Sequence, residues 1–255
     1  LVPSVAKRLS GEPLNQKNVD KSALYRETLL SMGQRNPHFI AGINGGYFYE
    51  NRRHHQDENC IKKTYPQTTA RGIGDGLLEI HHKVISENCS SGYFSEAGRT
   101  SIEQLSNGQW RIRPEIASQR LRSIQNALGA GPGLIDDYYG RPLIRIRWEG
   151  ILSTFEFSAN SALVTLQDQK GHQHVVFFTV DGADKLAGMN SMEMANFIET
   201  TLPGLLKLHL ISAMSLDQGR SSGLYIRDNA PQIVSTSSVR GEERPIFDAL
   251  FVKAV

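Results

Sequence analysis

Two apolar runs constrain this chain more than anything else in it: HVVFFTVDG at 174–182 and HLISAMSLD at 209–217. Each reads as a buried strand, and each brings an aspartate, Asp181 or Asp217, to a strand end. Between them, Met194, Phe197, Ile198 and Leu202 fall at i, i+3, i+4 and i+8, one face of a helix over about 191–202. A chain with such strands around such a helix must stack a sheet against helices.

The remaining segments extend this picture. DKSALYRETLLSM at 20–32 predicts an amphipathic helix ended by Gly33, and EIASQRLRSIQNAL at 115–128 predicts another, stopped by GAGPG. HFIAGIN (38–44), GLLEIHHKVIS (76–86), LIRIRW (143–148), ILSTFEF, SALVTLQD, LYIRD, PQIVST and IFDALFV read as strands, and 50–70 reads as a long polar loop. There is no internal repeat, low-complexity tract or linker. The expected fold is mixed α/β (α+β): a single domain at 38–255, mixed sheets flanked by a few helices, preceded by an N-terminal helical extension at 1–37.

Composition sets the remaining bounds. The chain has 255 residues, 39% apolar, with net charge +2 from 28 basic and 26 acidic residues. That length buries a sizeable core. The balanced charge implies neither nucleic acid nor membrane attraction. No apolar run approaches the roughly 18–20 residues of a membrane span. The chain opens at Leu1 with no visible signal peptide, as expected after a processed or truncated segment. Cys60 and Cys89 sit in polar, Asn-flanked surroundings. They are a disulfide candidate for an oxidising compartment or a pair of free thiols.

GRSSG at 219–223 fits the serine-hydrolase elbow G-x-S-x-G. The elbow needs a helix after its serine, whereas LYIRDNAPQIV follows here, and the last histidine, His209, lies upstream of Ser221. The match therefore reads as accidental. The pairs His54-His55, His81-His82 and His172-x-His174 lack the spacing of a closed zinc site. GAGPG and GIGDG lack the Lys-Ser/Thr of a phosphate loop. No metal or cofactor is expected; a divalent cation held by Asp217 or Asp181 has no support in the residues.

Five elements in order resemble the phosphodiester glycosidase family: INGGYF (43–48), GAGPGLI (129–135), TVDG with GMNSMEMANFI (179–198), SLDQGRSS (215–222), and Arg244 followed by IFDALFV. The family includes the lysosomal enzyme that uncovers phosphate by removing N-acetylglucosamine from a phosphodiester. The resemblance spans roughly 38–254 and departs at three places. Gln218 and Arg220 stand where the family has glycines, and Asn160 stands where it has an arginine.

The resemblance implies a phosphodiester glycosidase fold and hydrolysis of a sugar-1-phosphodiester, giving sugar and phosphomonoester. The departures leave an alternative: an altered or non-hydrolytic member that binds a glycan, nucleotide-sugar or cell-wall phosphodiester. The leaving phosphate needs less acid assistance than an alcohol. The chemistry then asks for a carboxylate, a sugar cradle and phosphate compensation.

Asp217 is the first candidate for the carboxylate, or the closer of an Asx-turn; Asp181 is the second, or part of an Asp-Gly turn. Glu193 is the third, or the return arm of a capping box with Asn190. Asn44, Gly45 and Gly46 are a candidate sugar or phosphate cradle, or a tight turn forced by positive φ. Gly219, Ser221 and Ser222 join that cradle. Arg71 and Arg220 are candidates for bidentate phosphate contact. The implied partner is a small-molecule or glycan phosphodiester, and the implied location is secreted, periplasmic or lumenal.

Overall fold

The computed structural model describes residues 1–5, 27–46, 78–86, 97–116, 124–146, 156–182, 187–236, 246 and 248–254. Within them lie β1 (Val2–Val5), α1 (Leu29–Gln34), β2 (Phe39–Asn44), β3 (Leu78–Ile80), β4 (Lys83–Ser86), β5 (Ala97–Leu105), β6 (Trp110–Ile116) and β7 (Ile124–Gly129). There follow β8 (Gly133–Tyr138), β9 (Arg141–Ile144), β10 (Asn160–Gln167), β11 (Gln173–Val180), α2 (Ser191–Thr200) and α3 (Leu202–Leu206). The chain closes with β12 (His209–Ser215), β13 (Gly223–Arg227), β14 (Pro231–Thr236) and β15 (Asp248–Lys253).

The strands form three five-stranded antiparallel sheets, ordered β1-β15-β2-β13-β14, β11-β10-β12-β8-β9 and β4-β3-β7-β5-β6. With only a few helices beside them, the architecture is the expected α+β mixture in a single domain.

The middle sheet explains the strongest sequence signal. On β10, Ala162, Val164 and Leu166 pack with Met194, Ala195 and Ile198 of α2. Leu163, pointing the other way, packs with Ile43, Ile102, Leu128, Met214 and Leu250, so all three sheets meet behind it. A strand covered on both faces gains from apolar side chains at every position, about 1.5–3 kcal/mol for each large one.

The antiparallel pairing also collects strand ends. Asn160 pairs with Val180, and Ala162 with Ser215, so the start of β10 shares one edge with the ends of β11 and β12. In the first sheet, Leu224 pairs with Ile43 and Ala249 with Asn44. The end of β2 therefore lies beside the starts of β13 and β15. The 216–222 turn, running from β12 to β13, joins these two edges.

Several local expectations need correction. Residues 115–116 and 124–128 are strand, not helix: β7 is inserted between β3 and β5, with Ile124, Ala127 and Leu128 buried there. Helix propensity amounts to tenths of a kcal/mol per residue and yields to such pairing. The first helix starts at Leu29 behind the cap Thr28, whose Oγ1 accepts from the Ser31 N–H at 3.1 Å.

Gly33, expected to end that helix, lies inside it. A Cβ there would sit 2.5 Å from the Tyr225 ring, so this glycine is set by packing. Lastly, β9 ends at Ile144 rather than Trp148. Residues 2–5, within the expected helical extension, are a strand paired with β15. The expected strand ILSTFEF, the loop at 50–70 and residues 20–26 lie wholly or mainly outside the described residues.

Candidate active site

The site begins at the corner that closes β2. Asn44 is fully buried. Its Nδ2 donates to the Asp217 carbonyl at 2.9 Å, and its Oδ1 accepts the Gly223 N–H at 3.1 Å. The Asp217 N–H returns a bond to the Gly45 carbonyl at 3.0 Å. Corner and turn, 173 residues apart in the chain, are thus stapled by both backbones and one amide. Both ends of that amide are engaged by backbone, so Asn44 joins the two segments rather than presenting itself to a ligand.

Asn44→Ala leaves a buried carbonyl and a buried N–H without this partner. The expected loss is about 2–4 kcal/mol of stability, measured by urea unfolding.

Gly45 and Gly46 are required by contact, not by positive φ. A Cβ on Gly45 would lie 1.9 Å from Oδ1 of Asp248, and one on Gly46 would lie 2.1 Å from the Gly129 carbonyl. Into the space so kept, the Gly46 N–H donates to Asp248 Oδ1 at 2.7 Å, and the Gly45 N–H donates to the Asp248 carbonyl at 2.9 Å.

The turn carries Asp217, Gly219, Ser221 and Ser222. Asp217 is 7% exposed, and Ser221 and Ser222 are 4% exposed. Gly219 adopts φ +64°, in the left-handed region, and opens a single 3-10 turn through Ser221. Its N–H donates to the Ala159 carbonyl at 2.8 Å, tying the turn to the start of β10. β13 follows directly at Gly223, so Ser221 lacks the helix that a nucleophile elbow requires.

Two amides hold the start of α2 against this turn. Asn160, in the place where the resemblance expects arginine, donates Nδ2 to the Met189 carbonyl. Gln218 donates Nε2 to the hydroxyls of Ser191 and Ser215, both at 3.3 Å. Among the described residues, Asn160 Oδ1 and Gln218 Oε1 are buried without a hydrogen-bond partner.

Glu193 is exposed on the first turn of α2 and completes the capping box: the Asn190 N–H donates to its Oε2 at 3.3 Å, and its own N–H donates to Asn190 Oδ1 at 2.9 Å. Asp181 is exposed at the end of β11. The next residue, Gly182, is pressed against Ala159, which keeps Asp181 beside the start of β10. The side chains of Arg71 and Arg220, and both cysteines, Cys60 and Cys89, lie outside the described residues.

Asp248 is the residue that sequence reasoning missed. It is 3% exposed. Burial pushes its carboxyl up to about 8; the Gly46 hydrogen bond opposes the shift, and the charge of Asp217 adds to it. The available signal was an acid inside the otherwise apolar run IFDALFV.

His54 and His55 lie outside the described residues, and the other paired histidines sit away from this corner. His81 and His82 form the β3–β4 turn at φ 50° and 63°, and His82 Nδ1 lies 2.8 Å from the Ile124 carbonyl. His172 and His174 sit by the β10–β11 hairpin, at the far ends of those strands, with His172 Nδ1 3.0 Å from Asp168 Oδ2. Among the described residues, no group of three or more His, Cys, Asp or Glu is arranged to hold a metal ion.

Comparison with known proteins places the family and the fold. The family model described as phosphodiester glycosidase matches residues 37–253. The fold is similar to the catalytic domain of zebrafish N-acetylglucosamine-1-phosphodiester alpha-N-acetylglucosaminidase, auto-inhibited by its pro-peptide. The TM-score is 0.58 at 17% identity, covering 90% of this chain and 68% of that one. It is also similar to a hypothetical protein from Synechocystis, with TM-score 0.54 and 16% identity over 97% of this chain and 55% of that one. No curated protein matches. At such identities the solved structures speak for the fold alone.

Proposed function

This chain belongs to the phosphodiester glycosidase family, and from that premise we propose that it hydrolyses a sugar-1-phosphodiester, with N-acetylglucosamine-1-phosphodiesters the first class to try. Family membership supports a hydrolase of sugar phosphodiesters in general; the residues support the rest. Water oxygen bonds to the anomeric carbon, and the carbon–oxygen bond to phosphate breaks. The electron pair leaves on the phosphate oxygen, while the proton of the attacking water passes to the Asp217 carboxylate. The products are free sugar and a phosphomonoester.

The observation that carries this reading is the double staple between the Gly45 corner and Asp217. It fixes the backbone of Asp217 at a strand end where two sheets meet, beside Gly219, whose surroundings are open. Ser221 and Ser222 supply hydroxyls to the sugar or phosphate, and Arg71 and Arg220 are the candidates for the phosphate charge. Asn44, Gly45 and Gly46 build the floor. A secreted, periplasmic or lumenal setting fits this substrate class.

The test is the bond that breaks. With p-nitrophenyl sugar-1-phosphodiesters in ¹⁸O water, the label is expected in the sugar, with p-nitrophenyl phosphate as co-product. Label in phosphate with direct release of p-nitrophenol contradicts the reading. Binding without turnover favours the second reading, a non-hydrolytic glycan phosphodiester binder. That alternative is motivated by Asn160 and Gln218, neutral amides where the family has arginine and glycine.

A further inference from the structure

We propose that Asp217 and Asp248 form a carboxyl pair that carries one proton, held on Asp248, across the Gly45–Gly46 corner. The kinetic part of this inference rests on the function proposed above; the protonation of the pair does not.

The geometry argues for a neutral Asp248. The residue is 3% exposed. Among the described residues, no Lys, Arg or His forms an ion pair with it, and its described donor is the single Gly46 N–H at 2.7 Å. A buried carboxylate without a paired cation is costly and takes up a proton instead. The strands flanking β15 add no titratable side chain, since β1 reads VPSV and β2 reads FIAGIN. The charge facing Asp248 from the described residues is Asp217, on the turn stapled to this corner.

The backbones of the two acids are also tied to one residue. Gly45 donates its N–H to the Asp248 carbonyl at 2.9 Å and accepts the Asp217 N–H at 3.0 Å, so one residue is clamped between both acids. With both backbones meeting at Gly45 and the charge of Asp217 acting on Asp248, the two acids titrate as a pair whose first proton stays on Asp248, the more buried member.

The consequence concerns an anionic substrate. With one proton on board, the pair carries one negative charge, on the carboxylate assigned to meet water. With the pair fully ionised it presents two, beside a phosphodiester that brings another. Asp248 is therefore a positioning residue for the charge on Asp217, and activity depends on its proton.

The sign follows from the folded-state value near 8, above the ordinary carboxylate value of 3.8. Between those values the native state holds a proton that the unfolded chain has released. The stability contributed is fully present below about pH 4 and is lost as pH rises through about 8.

Asp248→Asn tests both parts. The amide keeps the acceptor for Gly46 and the neutral charge but cannot titrate. In the wild type, kcat/KM on a sugar-1-phosphodiester is expected to fall about tenfold per pH unit above pH 8; the variant is expected to lack this limb. An unchanged alkaline limb in the variant overturns the proposal.

Thermal unfolding needs no substrate. Wild-type Tm is expected to fall by several degrees between pH 6 and 9, and the variant's Tm is not. A wild type flat over that range overturns the pair on its own, even if the variant does not fold. A pH-dependent Tm without turnover leaves the pair standing and sinks the function instead.

Discussion

Asp217→Asn is expected to lower kcat for a sugar-1-phosphodiester by about 10²–10⁴-fold, the range for loss of a positioned general base. Asn has the size of Asp and keeps the backbone N–H that donates to Gly45 at 3.0 Å and the carbonyl that accepts from Asn44 at 2.9 Å. The corner therefore keeps its frame, and KM should change far less than kcat. What disappears is the ability to take a proton from water. Steady-state kinetics read this directly, and circular dichroism reports whether the variant is folded. A folded variant with wild-type kcat removes Asp217 from the chemistry.

Gly45→Ala is expected to cost at least about 4 kcal/mol, an uncommonly large effect for one methyl group. The added Cβ would stand 1.9 Å from Asp248 Oδ1 and 2.8 Å from the Asp248 backbone carbonyl. A flexible side chain could swing away from such a clash, but a backbone atom of β15 cannot without opening its pairing with β2. The same displacement breaks the Gly46 hydrogen bond and pulls Asp217 from its register. Urea unfolding measures the loss, and activity should vanish with it. A variant as stable as wild type would mean that the corner is not packed as described.

Much of this arrangement is legible in the sequence because it rests on local patterns. The runs that became β10, β11 and β12 are long and apolar. The stripe on α2 is a clean helical period, and its capping box is written in Asn190 and Glu193. The corner and the turn announce themselves through glycines beside a polar or acidic residue.

What was illegible depends on pairing at a distance. Ile124 and Leu128 suit one face of a helix, yet their partners lie on β3 and β5, and only the folded sheet makes them a strand. Gly33 looks like a helix stop because the ring of Tyr225, far along the chain, is not visible locally. Asp248 has the same difficulty: its partner Gly46 lies 202 residues away. The β5–β6 hairpin is a different case. Its turn carries Asn107-Gly108, with Gly108 at φ 86°, a short-range signal present in the letters and passed over.

The central claim is that the Asn44–Gly46 corner and the Asp217 turn form one catalytic pocket. A crystal structure of the Asp217→Asn variant soaked with an intact sugar-1-phosphodiester tests it most directly. The predicted result is a sugar whose anomeric carbon lies beside residue 217, with the phosphate oxygens toward the Ser221–Ser222 hydroxyls. A diester seated elsewhere, with residue 217 still covered by protein, would contradict the account.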